Sequence, residues 1–175
     1  MSANKLGEMI FTREQIEERA AEIGRQITTD YAGKEVILLG ILRGCVMWMA
    51  EIMKTIELDT VVDFMAISSY GAATKSSGIV RIVKDLSCDI KGRHVIIVED
   101  IVDTGTTLDY LFKFLEAREP ASLRICAMLD KPSGRQSYAK VDYIGFKAPD
   151  VFLVGYGLDA NQKYRNLPFI AAIEK

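Results

Sequence analysis

One apolar run of the sequence ends in three carboxylates and a hydroxyl-rich turn. The stretch VIIVEDIVDTGTT, residues 95–107, places Glu99, Asp100 and Asp103 directly before Gly105 and its neighbouring threonines. Carboxylates can accept hydrogen bonds from sugar hydroxyls, approach Mg²⁺ through water, or exchange a proton with a substrate. A turn of this kind at the start of a helix presents backbone N–H groups to a phosphate. The pattern therefore predicts a site for a phosphate-bearing sugar.

The carboxylates can be assigned by their position along this stretch. Glu99 and Asp100, at the end of the apolar run, suit a sugar diol or a hydrated Mg²⁺ ion. Asp103, beside the turn, suits proton exchange with the group that joins the sugar. The predicted phosphate cradle comprises Thr104, Gly105, Thr106 and Thr107. A plainer alternative is that Asp103 caps the helix while the other two acids face water. Neither GxxxxGK[ST] nor GxGxxG is present, which argues against nucleoside triphosphatases and dinucleotide binding.

The surrounding elements predict an α/β fold that brings these groups to one edge of a sheet. Apolar residues at helical spacing predict a first helix over residues 13–31, with Thr12 as its N-cap. Continuous apolar runs such as EVILLGIL, HVIIVED and SLRICAMLD indicate strands covered on both faces. Because strands alternate with helices, we expect one mostly parallel sheet with helices on both faces. Ligands of such sheets bind outside the carboxyl ends of the strands.

Composition excludes several classes of protein. The chain of 175 residues carries 24 acidic and 22 basic residues, so no overall charge favours nucleic acid, and no apolar stretch approaches the roughly 20 residues that span a membrane. Three widely separated cysteines and the single histidine, His94, argue against a disulfide framework or a zinc site. Together with the lack of a signal-peptide pattern, this predicts a cytoplasmic location.

The stretch EDIVDTGTT resembles the phosphoribosyl-pyrophosphate signature of type I phosphoribosyltransferases. Other segments resemble hypoxanthine-guanine phosphoribosyltransferases in the same order along the chain. They are ILRG (the pyrophosphate loop), SSYG with TKSSG (the lid), DKPSGR (the segment of a purine-contacting lysine) and VFLVGYGLDANQKYRNLPFI (the C-terminal stretch). The resemblance implies a single domain over residues 1–175, in which a small hood is contributed by residues 1–12 and 150–175.

The resemblance also implies roles for individual residues. Glu99 and Asp100 would meet the ribose hydroxyls and the hydrated metal, the cradle would hold the 5′-phosphate, and Asp103 would act as general base or acid at the imidazole edge of the base. The implied pyrophosphate-binding residues are Leu42, Arg43, Gly44 and Arg165. Many family members have lysine where this chain has Arg43, and the family often has a cis peptide before that residue.

Further roles concern the base, the metal and the lid. Lys131 would recognise the 6-oxo group, Phe152 would stack on the purine, and Leu153 would offer backbone contacts to its amino edge. A lysine ammonium only donates hydrogen bonds, so it favours an oxopurine over the amino group of adenine. The remaining implied residues are Asp159 as a ligand of Mg²⁺ and Ser69 and Tyr70 in the lid.

The predicted reaction joins hypoxanthine or guanine to phosphoribosyl pyrophosphate, and the resemblance implies a homodimer or homotetramer. Three alternatives stay open: a transferase that prefers xanthine, a regulator that binds phosphoribosyl pyrophosphate and nucleic acid, and an aspartyl-phosphate enzyme suggested by DTGT. The last is disfavoured because Asp103 lies beyond the strand end, after two other acids.

Overall fold

The computed structural model describes residues 5–69, 80–136 and 140–174. Its central sheet has six strands in the order β4-β3-β2-β5-β6-β7. Their bounds are β2 Val36–Leu42, β3 Thr60–Ser69, β4 Val80–Lys84, β5 His94–Val102, β6 Ser122–Asp130 and β7 Tyr143–Lys147. All neighbouring pairs are parallel except β3 with β4. The carboxyl ends of β2, β5 and β6 therefore meet at one edge of the sheet.

Helices cover both faces of this sheet. Helices α1 (Arg13–Asp30) and α2 (Val46–Thr55) share one apolar cluster with the sheet, and α3 (Thr106–Glu116) shares the other. The predicted N-cap of α1 is confirmed, because the Thr12 hydroxyl accepts from Gln15 N while the Gln15 side chain accepts from Thr12 N at 2.8 Å. This reciprocal capping satisfies two N–H groups that the helix itself cannot.

A second sheet joins the two ends of the chain. It contains β1 (Lys5–Phe11), β9 (Ile170–Glu174) and β8 (Leu153–Val154) in the order β1-β9-β8, and both pairs are antiparallel. The ring of Phe11 stacks on that of Phe146 in β7 with 4.3 Å between centroids, which attaches the small sheet to the large one. The predicted fold class, a mostly parallel sheet flanked by helices with a small hood, is confirmed.

One local prediction is wrong. The four-residue spacing of Met49 and Met53 predicts that both lie in the core, but Met53 is 43% exposed, because the buried stripe of α2 runs through Trp48, Met49 and Ile52. In the C-terminal stretch, β8 spans only two residues. The backbone leaves the extended conformation at Gly155, Tyr156 and Gly157, which all have positive φ.

The cysteines and the histidine lie away from the carboxyl edge or inside the core. Cys45 and Cys126 are buried, whereas Cys88 is only partly so, and all three are free. His94 begins β5 at the opposite, amino end of the sheet, and its Nδ1 lies 2.8 Å from the Ser122 hydroxyl. Among the described residues, no helix has both the length and the apolar character needed to cross a membrane.

Asp63 is a buried carboxylate in the middle of β3. Its carboxylate accepts hydrogen bonds from the backbone N–H groups of Phe64, Ser87 and Cys88 at 2.7, 2.5 and 3.1 Å. Burial alone would raise the pKa of Asp63, but these donors outweigh it and lower the pKa to about 2. One carboxylate thus ties the segment that leads into β5 to the middle of β3.

Asp63→Asn is expected to lower the free energy of unfolding at pH 7 by about 2 kcal/mol, because a carboxylate with a depressed pKa stabilises the folded state while it is ionised. In the parent, this contribution is complete above the ordinary aspartate pKa near 3.8 and is lost as the pH falls towards about 2. Urea unfolding between pH 7 and pH 2.5 measures both effects.

The matched control is Asp59→Asn, which changes an exposed aspartate one residue before β3. It should leave the acid dependence of stability as in the parent. Equal acid dependence in the parent and in Asp63→Asn would contradict the assignment.

Candidate active site

The two adjacent acids at the end of β5 line different cavities. Successive strand residues point to opposite faces, and Glu99 lines a cavity of about 160 Å³ with Thr104, Gly105 and Thr107, whereas Asp100 lines one of about 260 Å³ with Lys131 and Phe152. Both acids are predicted to meet the sugar and the metal. The two cavities adjoin, because Ile101 and Asp103 line both of them.

Both acids have raised pKa values. Burial, and then the neighbouring Asp100 charge, raises the pKa of Glu99 well above its ordinary value. Burial also raises the pKa of Asp100, although the backbone N–H of Ile101, at 2.8 Å, and the charge of Arg165 oppose the increase. A cation brought to this edge of the sheet would favour the charged forms of both.

The smaller cavity lies at the start of α3. Gly105 occupies the N-cap position in the left-handed conformation, with φ of 77°, which glycine adopts without strain. Because glycine has no side chain to cap the helix, the N–H groups of the first turn are left for a ligand. The predicted cradle of Thr104, Gly105, Thr106 and Thr107 surrounds this position, although Thr106 does not line the cavity.

Asp103 belongs to the walls of both cavities. It lines the smaller one with Thr104 and Gly105 and the larger one with Lys131 and Phe152. A sugar held between the two cavities would therefore carry its phosphate on one side of Asp103 and the incoming base on the other.

The position of Asp103 depends on the loop after β6. A side chain at Gly134 would place its Cβ 2.1 Å from Asp103 Oδ1, so only glycine allows this approach. The Arg135 guanidinium donates to the carbonyls of Asp103 and Val102 and pairs with Asp130. Sequence reasoning missed Gly134 and Arg135 as supports, although both lie in the segment DKPSGR.

Lys131 reaches the larger cavity with its charge already paired. Its ammonium lies 3.0 Å from the Asp150 carboxylate, and its side chain is 16% exposed while that of Asp150 is 77% exposed. Phe152 follows at the cavity wall and is 56% exposed. A phenylalanine in an apolar stretch is ordinarily buried, so this exposure sets Phe152 apart from the core.

The backbone of Leu153 points toward the same cavity. Phe152 O accepts from Ile173 N of β9 at 2.9 Å, so the polar groups of Phe152 face β9. Because adjacent residues of an antiparallel strand alternate in direction, the N–H and C=O of Leu153 point away from β9. Since β8 is at the edge of its sheet, no further strand within residues 5–69, 80–136 and 140–174 pairs with these groups, and Leu153 lines the cavity.

The predicted pyrophosphate loop packs against Asp100. The peptide between Leu42 and Arg43 is cis, as the resemblance implied. A Cβ on Gly44 would lie 1.5 Å from Asp100 Oδ2, so the loop backbone is in direct contact with that acid. Arg43 is exposed, and its guanidinium donates to the Gln162 side chain at 3.2 Å.

Asp159 and Arg165, predicted to bind the metal and the pyrophosphate, are paired with each other at 2.6 Å. Arg165 also donates to Gly157 O at 2.7 Å. Over the described parts of the chain, no group of three or more acidic, cysteine or histidine side chains is arranged to hold a metal. The predicted ligands are carboxylates, whose oxygens suit Mg²⁺; Asp100 and Asp159 line the larger cavity together, whereas Glu99 lines the smaller one.

The predicted lid is only partly within the described structure. Ser69 ends β3 and pairs with Val80 at the start of the antiparallel β4. Tyr70 lies outside the described residues.

Comparison with known proteins shows which family the chain belongs to. The model of the phosphoribosyl transferase domain matches residues 7–161. The chain is 46% identical to a hypoxanthine-guanine phosphoribosyltransferase of Streptococcus pneumoniae, over all of this chain and 97% of that protein. It is 41% identical to the enzyme of that name from Bacillus subtilis, over 99% and 97%. A crystal structure of a hypoxanthine phosphoribosyltransferase from Staphylococcus aureus superposes with a TM-score of 0.93 at 44% identity, covering 97% of this chain and 92% of that one. These similarities show that the chain, which has acids, the predicted phosphate cradle and the larger cavity at one sheet edge, belongs to the hypoxanthine-guanine phosphoribosyltransferase family of phosphoribosyl transferase domains.

Proposed function

We propose that this protein is a purine-salvage enzyme that transfers the phosphoribosyl group of phosphoribosyl pyrophosphate to hypoxanthine or guanine. Pyrophosphate and the purine mononucleotide are the products. The observation that carries the proposal is the position of Asp103, on the wall shared by a phosphate-sized cavity and a cavity containing Lys131 and Phe152.

The 5′-phosphate would occupy the smaller cavity, where the N–H groups of the first turn of α3 and the threonine hydroxyls donate to it. Glu99 would accept hydrogen bonds from the ribose hydroxyls. The anomeric carbon would then lie near Asp103, with pyrophosphate directed toward the loop of Leu42, Arg43 and Gly44.

The purine would occupy the larger cavity. Lys131 would donate to the 6-oxo group, Phe152 would stack on the ring, and the Leu153 carbonyl would accept from the 2-amino group of guanine. Adenine presents an amino donor to the Lys131 donor, so it would leave the ammonium without an acceptor. Asp150 would keep the ammonium in place until the base arrives.

Transfer breaks the bond from the anomeric carbon to pyrophosphate and forms the bond to the base nitrogen. Asp103 would take the proton that the imidazole edge of the purine must lose. Positive charge develops on the sugar, so the nearby Glu99 and Asp100 would stabilise it, while Arg43 and Arg165 would receive the departing pyrophosphate. The lid containing Ser69 and Tyr70 would exclude water from the sugar cation.

Mg²⁺ would be held by Asp100 and Asp159, with Glu99 acting through water. Asp100 and Asp159 line the same cavity, and after burial the charge of Asp159 contributes to the raised pKa of Asp100, so a cation between them would favour both carboxylates. The ion would neutralise part of the pyrophosphate charge. Arg165 would have to exchange its partner Asp159 for pyrophosphate.

The domain limits and location complete the proposal. Residues 1–175 form one domain, and the hood comprises residues 1–12 and 150–175. The cysteines, free and mostly buried, suit the reducing cytoplasm. A xanthine-preferring transferase is the nearest alternative. A nucleic-acid-binding regulator is disfavoured by the balance of 24 acidic against 22 basic residues.

The assignment is tested with a panel of hypoxanthine, guanine, xanthine and adenine, supplied with phosphoribosyl pyrophosphate and Mg²⁺. The parent should form nucleotide from the first two bases. Asp103→Asn should lower kcat by about 10²–10⁴-fold, the usual contribution of a general base, with little change in KM for phosphoribosyl pyrophosphate. Lys131→Ala should raise KM for the base by roughly 10–100-fold, because a hydrogen bond to a charged group is lost.

Lys147→Ala is the matched control, since Lys147 is an exposed lysine of the adjacent strand β7. It should keep parental kinetics. Failure of the parent to use either hypoxanthine or guanine would overturn the proposed function, and a clear preference for xanthine would replace it.

We also propose that a second copy of this chain covers an apolar surface beside the pyrophosphate loop. Val46 and Met53 lie seven residues apart on one side of α2 and are 47% and 43% exposed. Val62 of β3 is 40% exposed. Residues two apart on a strand point to the same face of the sheet, so Val62 lies on the same face as Phe64, which packs in the cluster containing α2. Such a surface is typical of a subunit interface, and two-fold dimers are the commonest arrangement.

Met53→Glu should therefore shift the mass in solution from that of a dimer or tetramer toward a smaller species, measured by light scattering after gel filtration. Tyr110→Glu, which alters a 42% exposed residue of α3 on the opposite face of the sheet, should leave the mass unchanged. A monomeric parent, or an unchanged mass in Met53→Glu, would contradict this surface as the interface.

A further inference from the structure

Gln162 joins the two arginines that face the pyrophosphate region. Its side-chain oxygen Oε1 accepts from Arg43 Nη1 at 3.2 Å and from Arg165 Nη2 at 3.4 Å. Arg43 follows β2, whereas Arg165 belongs to the C-terminal stretch, and they are separated by more than a hundred residues of sequence. A single amide oxygen thus aligns cations from two distant segments.

The backbone of Gln162 reaches a third residue of the predicted site. Its N–H donates to Asp159 Oδ2 at 2.7 Å, while the other oxygen of that carboxylate pairs with Arg165 at 2.6 Å. Gln162 therefore contacts Arg43, Arg165 and Asp159 at once. None of these contacts was anticipated from the sequence, where Gln162 is one polar residue in DANQKY.

The turn that carries Gln162 is strained. Asn161 and Gln162 have φ of 52° and 66°, and Ala160 and Lys163 on either side are joined by reciprocal backbone hydrogen bonds of 3.2 and 3.1 Å. Turns with two residues of positive φ favour glycine, and a residue with a longer side chain is less stable there. A long side chain kept at such a position is consistent with a functional requirement for it.

The chemistry of the amide matters for the charge of the network. Arg43 and Arg165 together carry two positive charges, and Asp159 offsets one of them. An amide accepts hydrogen bonds from both guanidinium groups without removing the remaining positive charge, whereas a carboxylate at the same place would cancel it. A neutral acceptor therefore orients the arginines and leaves them attractive to a polyanion.

We propose that Gln162 is a positioning residue for pyrophosphate: it aligns the Arg43 and Arg165 guanidiniums for the diphosphate of the substrate and product without neutralising them. This inference rests on the proposed function. It predicts effects on the affinity for pyrophosphate and phosphoribosyl pyrophosphate and none on the affinity for the base.

The test combines calorimetric titration of the full chain with inorganic pyrophosphate and Mg²⁺ and steady-state kinetics. Gln162→Ala should weaken pyrophosphate binding and raise KM for phosphoribosyl pyrophosphate by about 3–10-fold, with KM for hypoxanthine unchanged. Gln162→Glu should weaken pyrophosphate binding further, by more than about 10-fold, because it adds a negative charge.

Glycine substitutions distinguish the effect of the Gln162 side chain on pyrophosphate binding from the effect of the turn conformation on stability. Gln162→Gly should keep or raise the melting temperature, because glycine suits the positive φ, while it weakens pyrophosphate binding as much as Gln162→Ala does. Asn161→Gly is the matched control at the neighbouring position with the same backbone geometry. It should keep parental affinity for pyrophosphate.

A double-mutant comparison tests the link to Arg43. Arg43→Ala should weaken pyrophosphate binding less in the Gln162→Ala background than in the parent, because part of its effect is already lost.

The outcomes are distinguishable. A parent that binds pyrophosphate with dependence on Gln162 but forms no nucleotide would overturn the proposed function and retain the positioning role. An active parent whose Gln162→Ala and Gln162→Gly variants bind pyrophosphate with parental affinity would overturn the positioning role alone. Equal weakening by Asn161→Gly, or a parent that does not bind pyrophosphate, would overturn it as well.

Discussion

The absence of a side chain at Gly44 is the constraint on which the site depends. Any Cβ there would collide with the Asp100 carboxylate, and the Gly44 carbonyl would in turn collide with a side chain at Gly157, whose φ is 101°. The loop after β2 therefore contacts both the Asp100 side chain of β5 and the backbone of the C-terminal stretch. The proposed joint action of Arg43, Asp100, Asp159 and Arg165 on one ligand depends on this close approach of three segments.

The distribution of charge follows from that contact. Asp100 and Glu99 lie at a strand end where burial raises both pKa values; the charge of Asp100 adds to the effect on Glu99, and the charge of Asp159 adds to that on Asp100. Arg43 and Arg165 supply nearby positive charge, and Asp159 pairs with Arg165. The folded protein thus keeps acids where ionisation is unfavourable, beside cations that are only partly neutralised. The proposed substrate, a sugar that carries a phosphate and a metal-bound diphosphate, would relieve both conditions, so that stability given up in the free protein would be recovered on binding.

Local sequence patterns predicted the parts of this structure that depend on near neighbours. A few adjacent residues govern each of these parts: the Thr12 cap, the strands β2 and β6, the Gly105 turn and the acids at the end of β5. The separation of Glu99 from Asp100 also follows from strand alternation, yet it was overlooked because the two were considered as a chemical pair. Local sequence patterns do not predict contacts between distant segments of the chain. Gly134 beneath Asp103, Asp150 beside Lys131 and Gln162 between two arginines each depend on where loops are placed in space. The positive φ of Tyr156, just after β8, was not predictable either, because tyrosine rarely adopts that conformation.

The two cavities are formed by different parts of the chain. The smaller cavity, proposed to hold the 5′-phosphate, is formed by β5 and the start of α3, within residues 99–108. The base cavity needs Phe152 and Leu153, and β8 has β9 as its sheet neighbour, which in turn lies beside β1. Because β8 and β9 (Ile170–Glu174) follow residues 99–108 along the chain, the proposed base wall depends on segments that are synthesised after the smaller cavity. During synthesis, the surface suited to a sugar phosphate can therefore form before the wall proposed to distinguish purines, where β9 pairs with both β8 and the N-terminal β1.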